Sequence, residues 1–270
     1  MVRRHIIIKC MAAAALFVLM AISLVGSRTV AGPQFSQGQL VEVPVLNYHM
    51  VDNLAIPLSI SPEQFDEQMK YLSENGYHSI TPDQLLDYLE YGRRLPENAV
   101  LITFDDGYLD NYTKAYPILK KYGFTATIFV VTGLVGNDPR FLTWNQIREM
   151  RQNGFVFGSH TANHVPITQL GPEQAQKELT ESSMVMENQL GTKPAYFAYP
   201  TGAYNRQAEQ LVRRVGYRAA FTIRYGRAGM ESDHFAIERI PIFRSTKTFR
   251  SFYYRLTAAP ILERLGIIRN

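Results

Sequence analysis

Two short segments carry most of the chemistry this sequence can do. Asp105-Asp106-Gly107 follows the apolar run Ala99–Phe104, and His160 and His164 follow the run Phe155–Ser159. Adjacent carboxylates at a strand end repel each other, and a cation beside them removes that cost. Successive strand residues point to opposite faces, so the pair diverges unless the backbone bends, which Gly107 permits. Histidines four residues apart share a face on a helical turn and can reach one ion. Two imidazoles and one carboxylate form a three-ligand set that leaves positions open on Zn²⁺ for water and substrate. The other carboxylate then stays free as a base. The one cysteine is Cys10, so any metal must be held by histidine and carboxylate, and no intrachain disulfide can form. Among the other histidines, His49 sits just past an apolar run and His234 lies in the polar loop before the last one. His78 falls within a short strand, where a structural role is expected, and His5 is N-terminal.

The elements that must position these groups alternate along the chain. Strands are predicted at Val43–Tyr48, Tyr77–Ile80, Ala99–Phe104, Thr125–Val131, Phe155–Ser159, Tyr196–Tyr199, Tyr217–Ile223 and near Ala236–Ile242. Between them, Ser61-Pro62 and Thr81-Pro82 are helix starts, with a capping residue followed by proline at the first helical position. Further helices are predicted over residues 112–122, Trp144–Arg151, Pro172–Leu190 and Arg206–Val215, with a last one after Thr248. Repeated β-then-α units imply a parallel sheet with helices outside it. Six to eight such units imply a closed or nearly closed barrel, with catalysis at the carboxyl ends of its strands. Both chemistry-bearing segments then share that face.

Composition agrees with a globular protein: 46% of the 270 residues are hydrophobic and 19% charged, which excludes a disordered or fibrous chain. The net charge of +4 is uneven, because residues 201–270 hold 13 Lys and Arg against 5 Asp and Glu. Such a tail suits an anionic surface, membrane lipid or cell-wall polyanion, or simply a solvated face. No nucleic-acid recognition motif accompanies it. Arg3, Arg4 and Lys9 precede the uncharged stretch Met11–Gly26, and Thr29-Val30-Ala31 could be a small-x-small cleavage site. Residues 1–31 therefore read as a signal peptide or signal anchor, which sends the rest of the chain out of the cytoplasm. Residues 32–42 read as a linker and 43–270 as the barrel domain.

Thr103-Phe104-Asp105-Asp106-Gly107 and Gly158-Ser159-His160-Thr161-Ala162-Asn163-His164 resemble the first two motifs of the polysaccharide deacetylase family, the NodB-homology domain of carbohydrate esterase family 4. Phe197-Ala198-Tyr199-Pro200-Thr201-Gly202 resembles the third, and Val43–His49 resembles the N-terminal strand of secreted members. The resemblance covers roughly residues 43–255, with the motif-bearing core at about 98–255. It implies a distorted (β/α) barrel of about seven parallel strands. It also implies Asp106, His160 and His164 as metal ligands, Asp105 as general base and the Thr201 N–H as oxyanion donor. The implied metal is Zn²⁺, with Co²⁺ or Ni²⁺ compatible with the same ligands. The implied substrate is an N-acetylated amino-sugar polymer, peptidoglycan or exopolysaccharide, losing acetate. Two departures stand out. Ala198 occupies the position where many members have an arginine that steadies the base, and Arg239 is the candidate replacement. No Leu-x-His occurs near the C-terminus, where many members place a catalytic acid, so His49 becomes the first candidate acid and His234 the second. Two rival readings are a glycoside hydrolase with paired carboxylates, which needs no histidine cluster, and a carbohydrate-binding protein that keeps the fold without catalysis.

Overall fold

The computed structural model describes residues 41–244 and 248–258. They belong to one of two contact units, Leu40–Asn270. The expected signal segment and the expected linker up to residue 40 lie outside the described residues.

Seven parallel strands close into a barrel. They are β1 (Val43–Tyr48), β2 (Ala99–Phe104), β3 (Thr127–Val130), β4 (Val156–Ser159), β5 (Tyr196–Ala198), β6 (Ala219–Tyr225) and β7 (Ile237–Pro241). Leu46 of β1 pairs with Ile240 of β7 on one side and Ile102 of β2 on the other, which closes the ring. This is the barrel of about seven parallel strands that the motifs imply. All six residues of β1 and all six of β2 are buried, as expected where both faces of a strand are covered. Alternation divides the core. Val43, Val45, Leu101, Phe129, Phe221 and Ile237 belong to one cluster, whereas Leu46, Tyr48, Val100, Ile102 and Phe104 belong to another. The first fills the barrel, and the second lies between the strands and the outer helices.

Those helices are α1 (Pro62–Glu74), α2 (Pro82–Tyr91), α3 (Tyr116–Lys121), α4 (Trp144–Gln152), α5 (Pro172–Leu190), α6 (Arg206–Val215) and α7 (Thr248–Tyr253). Ser61, Thr81 and Thr143 each form a capping box with a glutamine three residues on, which satisfies amides that the helix itself cannot. Most boundaries shift by one or two residues from the sequence pattern, and two shifts have a visible cause. The helix expected over 112–122 opens as a π-helical turn, Asn111–Ala115, before α3. Pro117 has no N–H to give to a carbonyl one turn back, so a regular α-ladder cannot run through it. The strand expected from Tyr217 begins at Ala219, because the Tyr217 N–H remains tied to the Val212 carbonyl of α6 at 3.4 Å.

Asp110, just before the π-turn, is buried and accepts hydrogen bonds at Oδ1 from the Val51 N–H (3.0 Å) and Asn111 Nδ2 (3.0 Å). Burial pushes its carboxyl up to about 6, with Asp52 adding to the effect. A carboxyl harder to ionise in the fold than in the unfolded chain stabilises least at high pH. Its penalty is absent below about pH 4 and complete above about pH 6. Asp110→Asn keeps both acceptor bonds without the charge. It should raise stability by on the order of 2 kcal/mol at pH 7.5 and by almost nothing at pH 4. Thermal melts at the two pH values check this, and an equal shift at both would refute it.

Candidate functional site

The carboxyl ends of the strands hold a polar layer directly above the apolar interior. Asn47 and Thr103 continue the inward parity of Val45 and Leu101, and Asp105 continues it past the end of β2. The Asp105 N–H donates to the Tyr48 carbonyl at 2.9 Å, which extends the β1–β2 pairing by one step. Arg239, inward on β7, is fully buried. Its Nη1 and Nη2 donate to Asp105 Oδ1 and Oδ2 at 2.8 and 2.7 Å. Its Nε donates to the Thr222 carbonyl (2.8 Å), and Nη1 also to Thr103 Oγ1 (3.2 Å). Asn47 Nδ2 adds a bond to Asp105 Oδ2 at 3.0 Å. Burial would raise the Asp105 carboxyl, but the Arg239 charge and fork, helped by His160 and His49, outweigh it. The group is held well below the usual carboxylate range. Arg239 thus stands against Asp105 although it comes from a strand far outside the third motif.

Removing one partner of a buried ion pair leaves the other charge uncompensated, at about 3–5 kcal/mol. Arg239→Met should therefore lower the melting temperature by roughly 10 °C. Adding Asp105→Asn should recover part of the loss, since the stranded charge is then gone. A single-variant shift of under about 2 °C would show that the pair does not matter to the fold.

Asp106 turns the other way. The Gly107 N–H donates to the Asp105 carbonyl at 2.9 Å, closing a three-residue turn around Asp106, whose φ is 71°. A β-carbon on Gly107 would lie 2.8 Å from Val130 Cγ1, so only glycine fits. This left-handed turn separates the two carboxylates, one into the barrel and one onto its rim. The histidines do not sit on a helical turn, as their spacing suggested. The segment 160–164 is a loop in which Thr161 (φ 67°) and His164 (φ 58°) both take left-handed conformations, and these bring the rings together. Their centroids are 4.9 Å apart.

Asp106, His160 and His164 form a cluster whose ligand atoms all lie within 4.8 Å of one another. Asp106 Oδ1 is 3.5 Å from His160 Nε2 and 3.2 Å from His164 Nε2. Two ligands each about 2.0–2.1 Å from a tetrahedral Zn²⁺ lie roughly 3.4 Å apart. Asp106 Oδ1 is also buried without a hydrogen-bond partner among the described residues, a costly condition that a cation would relieve. His160 Nδ1 lies 2.8 Å from the Ala198 carbonyl. That oxygen can only accept, so the proton is on Nδ1 and Nε2 keeps its lone pair for a metal. Burial pushes the His160 pKa down, favouring the neutral form that ligation needs. The residues fit a divalent cation.

His49 Nε2 is 4.0 Å from Asp105 Oδ2, and its Nδ1 is buried without a hydrogen-bond partner among the described residues. Asn111 Nδ2 anchors its backbone carbonyl at 2.8 Å. Thr201 lies in the left-handed region (φ 58°) within the turn Pro200–Gly202, whose Gly202 and Ala203 amides bond back to Tyr199 and Pro200. His234 belongs elsewhere. Its carbonyl accepts from Ala220, at the amino end of β6, and its Nδ1 is 3.7 Å from Glu90. That is the opposite pole of the barrel, so His234 is removed from the list of candidate acids. Three neighbours went unread in the sequence. Asn47 and Thr103 surround Asp105, and the Tyr108 hydroxyl faces Asp106 while its ring stacks on Phe141. The inward parity of β1 and β2 carried a signal for the first two.

The strand ends of the parallel barrel thus carry an Asp-His-His cluster that could hold a metal ion, beside a second, arginine-paired aspartate. The chain belongs to the polysaccharide deacetylase family, whose members are hydrolases of carbon–nitrogen bonds outside peptides. The family model for polysaccharide deacetylase matches residues 92–220. The Bacillus subtilis polysaccharide deacetylase YxkH is 35% identical over 201 residues, covering 74% of this chain and 71% of that protein. A Staphylococcus aureus poly-β-1,6-N-acetyl-D-glucosamine N-deacetylase is 28% identical over 197 residues, 68% of each chain. Among solved structures, the Streptococcus pyogenes deacetylase PplD superposes with a TM-score of 0.75 at 30% identity, covering 81% of this chain and 99% of that one. IcaB from Ammonifex degensii superposes at 0.70, also at 30% identity, over 80% and 97%.

Proposed function

We propose that this chain removes N-acetyl groups from an exported N-acetylglucosamine polymer, using a divalent cation held by Asp106, His160 and His164. The carrying observation is that three ligand atoms converge on one point with a second carboxylate, Asp105, kept ionised beside them. Zn²⁺ suits the donor set best, and Co²⁺ and Ni²⁺ suit it too. A cation there would supply Lewis-acid polarisation of an acetamide carbonyl and a water acidified to near-neutral pKa.

The protein's own groups do the rest. Asp105 has about four lone-pair sites. Arg239 and Asn47 occupy three, which leaves one on Oδ1 to accept a proton from water. Arg239 and Asn47 also fix the carboxylate's orientation. The Thr201 N–H donates to the oxygen that becomes negative as water adds. His49 donates a proton to the departing amine. The name of the Staphylococcus relative favours a β-1,6-linked polymer as the first substrate to try. The N-terminal pattern supports export, secreted or held at the outer face of the membrane.

The test is acetate release from β-1,6-linked N-acetylglucosamine oligomers, peptidoglycan and chitin oligomers, with Zn²⁺ present. Release from at least one polymer is expected. No release from any, with polymer still bound, would favour the carbohydrate-binding reading instead.

A further inference from the structure

The loop that carries both histidines is held by a carboxylate on a neighbouring helix. Glu178 of α5 accepts the Ala162 N–H at Oε2 (3.1 Å), the Asn163 N–H at the same oxygen (2.9 Å) and Asn163 Nδ2 at Oε1 (2.8 Å). The carbonyls of the same stretch are taken from the other side. The Thr132 N–H donates to the Thr161 carbonyl at 3.2 Å and the Gly133 N–H to the Ala162 carbonyl at 2.8 Å. A β-carbon on Gly133 would lie 2.6 Å from that Ala162 oxygen, so the two loops approach as closely as glycine allows. One turn beyond Glu178, Ser182 Oγ bonds Ser159 Oγ at 2.6 Å, on the same helix face. α5 therefore grips the end of β4 and the loop after it at two points.

The two ligands differ in what else holds them. His160 is buried, and its ring is fixed through Nδ1 to the Ala198 carbonyl. The His164 side chain is 39% exposed. No hydrogen bond to its Nδ1 occurs among the described residues, and its backbone is in the left-handed region. Its place is set by the backbone of residues 161–163: the Thr161 N–H donates to Ser159 Oγ at 3.3 Å, and the Ala162 and Asn163 amides point at Glu178. A charged acceptor makes stronger bonds to amides than a neutral one does.

We propose that Glu178 is a positioning residue for the metal centre: it holds the 160–164 loop in the strained shape that points His164 at the ion. The inference rests on the metal-site reading given above. Groups that orient metal ligands typically change metal affinity by about 10–100-fold when removed.

The test is Zn²⁺ affinity of the full-length chain, measured by competition with a chromophoric chelator, together with the visible spectrum of the Co²⁺-loaded protein. Glu178→Ala should bind Zn²⁺ about 10–100-fold more weakly and show an altered Co²⁺ spectrum. Glu178→Gln retains one acceptor oxygen and should lose about severalfold. Glu181→Ala, one turn on and ion-paired with Lys177 at the surface, is the control and should bind like wild type. If Glu178→Ala does not fold, the Gln variant decides: weakened binding at an unchanged melting temperature supports the role. Folded Glu178 variants with wild-type affinity and spectrum would overturn it. Wild-type protein that binds no Zn²⁺ would overturn the metal-site reading itself, which is a distinguishable failure.

Discussion

Asp105→Asn should abolish most acetate release while Zn²⁺ stays bound. Loss of a general base typically costs about 10²–10⁴ in rate, and Asp105 is the carboxylate outside the ligand cluster. Asparagine is nearly isosteric and can still accept from Arg239 at its carbonyl oxygen, but its amide group cannot take a proton from water. The substitution also leaves Arg239 buried with half its partner gone, so the melting temperature should be recorded beside the rate. The roles are told apart by metal content. An Asp105→Asn protein that keeps its metal and loses its rate acts as proposed. One that loses its metal would show that Asp105, not Asp106, is the ligand.

His49→Gln should lower kcat by about 10²-fold or more, with metal content and folding unchanged. Its ring stands beside Asp105 at the rim, and its Nδ1 has no hydrogen-bond partner among the described residues, so within them it is held mainly by its backbone and by contact with the site. The reaction needs an acid for the departing amine, and with His234 at the far pole His49 is the remaining unassigned histidine near the metal cluster. A leaving group that needs no proton distinguishes acid loss from structural loss. An activated acetyl ester should be hydrolysed by His49→Gln nearly as fast as by wild type, whereas an amide should not. A variant with normal kcat on the polymer would end the acid assignment.

How much of this was legible in the sequence differs from residue to residue. Asp105, Asp106, His160 and His164 were legible because each lies directly after an apolar strand pattern, and parallel strands bring their ends to one face. The barrel followed from the same alternation. Arg239 could be proposed from its place near the last strand, but its fully buried, bidentate geometry could not, because the pairing spans 134 residues of chain. Asn47 joins Asp105 across 58 residues and escaped notice for the same reason. The histidine spacing suggested a helical turn. The loop instead takes left-handed conformations at Thr161 and His164, which residue types alone do not announce, since glycine is absent from both positions. Its support, Glu178, sits on the helix Pro172–Leu190, in which the sequence pattern singles out no residue. His234 was misplaced because a polar loop before a strand says nothing about which end of the barrel it occupies. That loop leads into the amino end of β7, away from the site.

The central claim is that Asp106, His160 and His164 hold the ion on which deacetylation depends. The most direct measurement is acetate release by full-length chain stripped with a chelator and then titrated with Zn²⁺. The account predicts that stripped protein is inactive and that activity returns in proportion to added Zn²⁺, reaching a plateau at one equivalent. His164→Ala should show no such plateau. Undiminished release from protein with no bound metal, or full recovery in the His164→Ala variant at one equivalent, would contradict it.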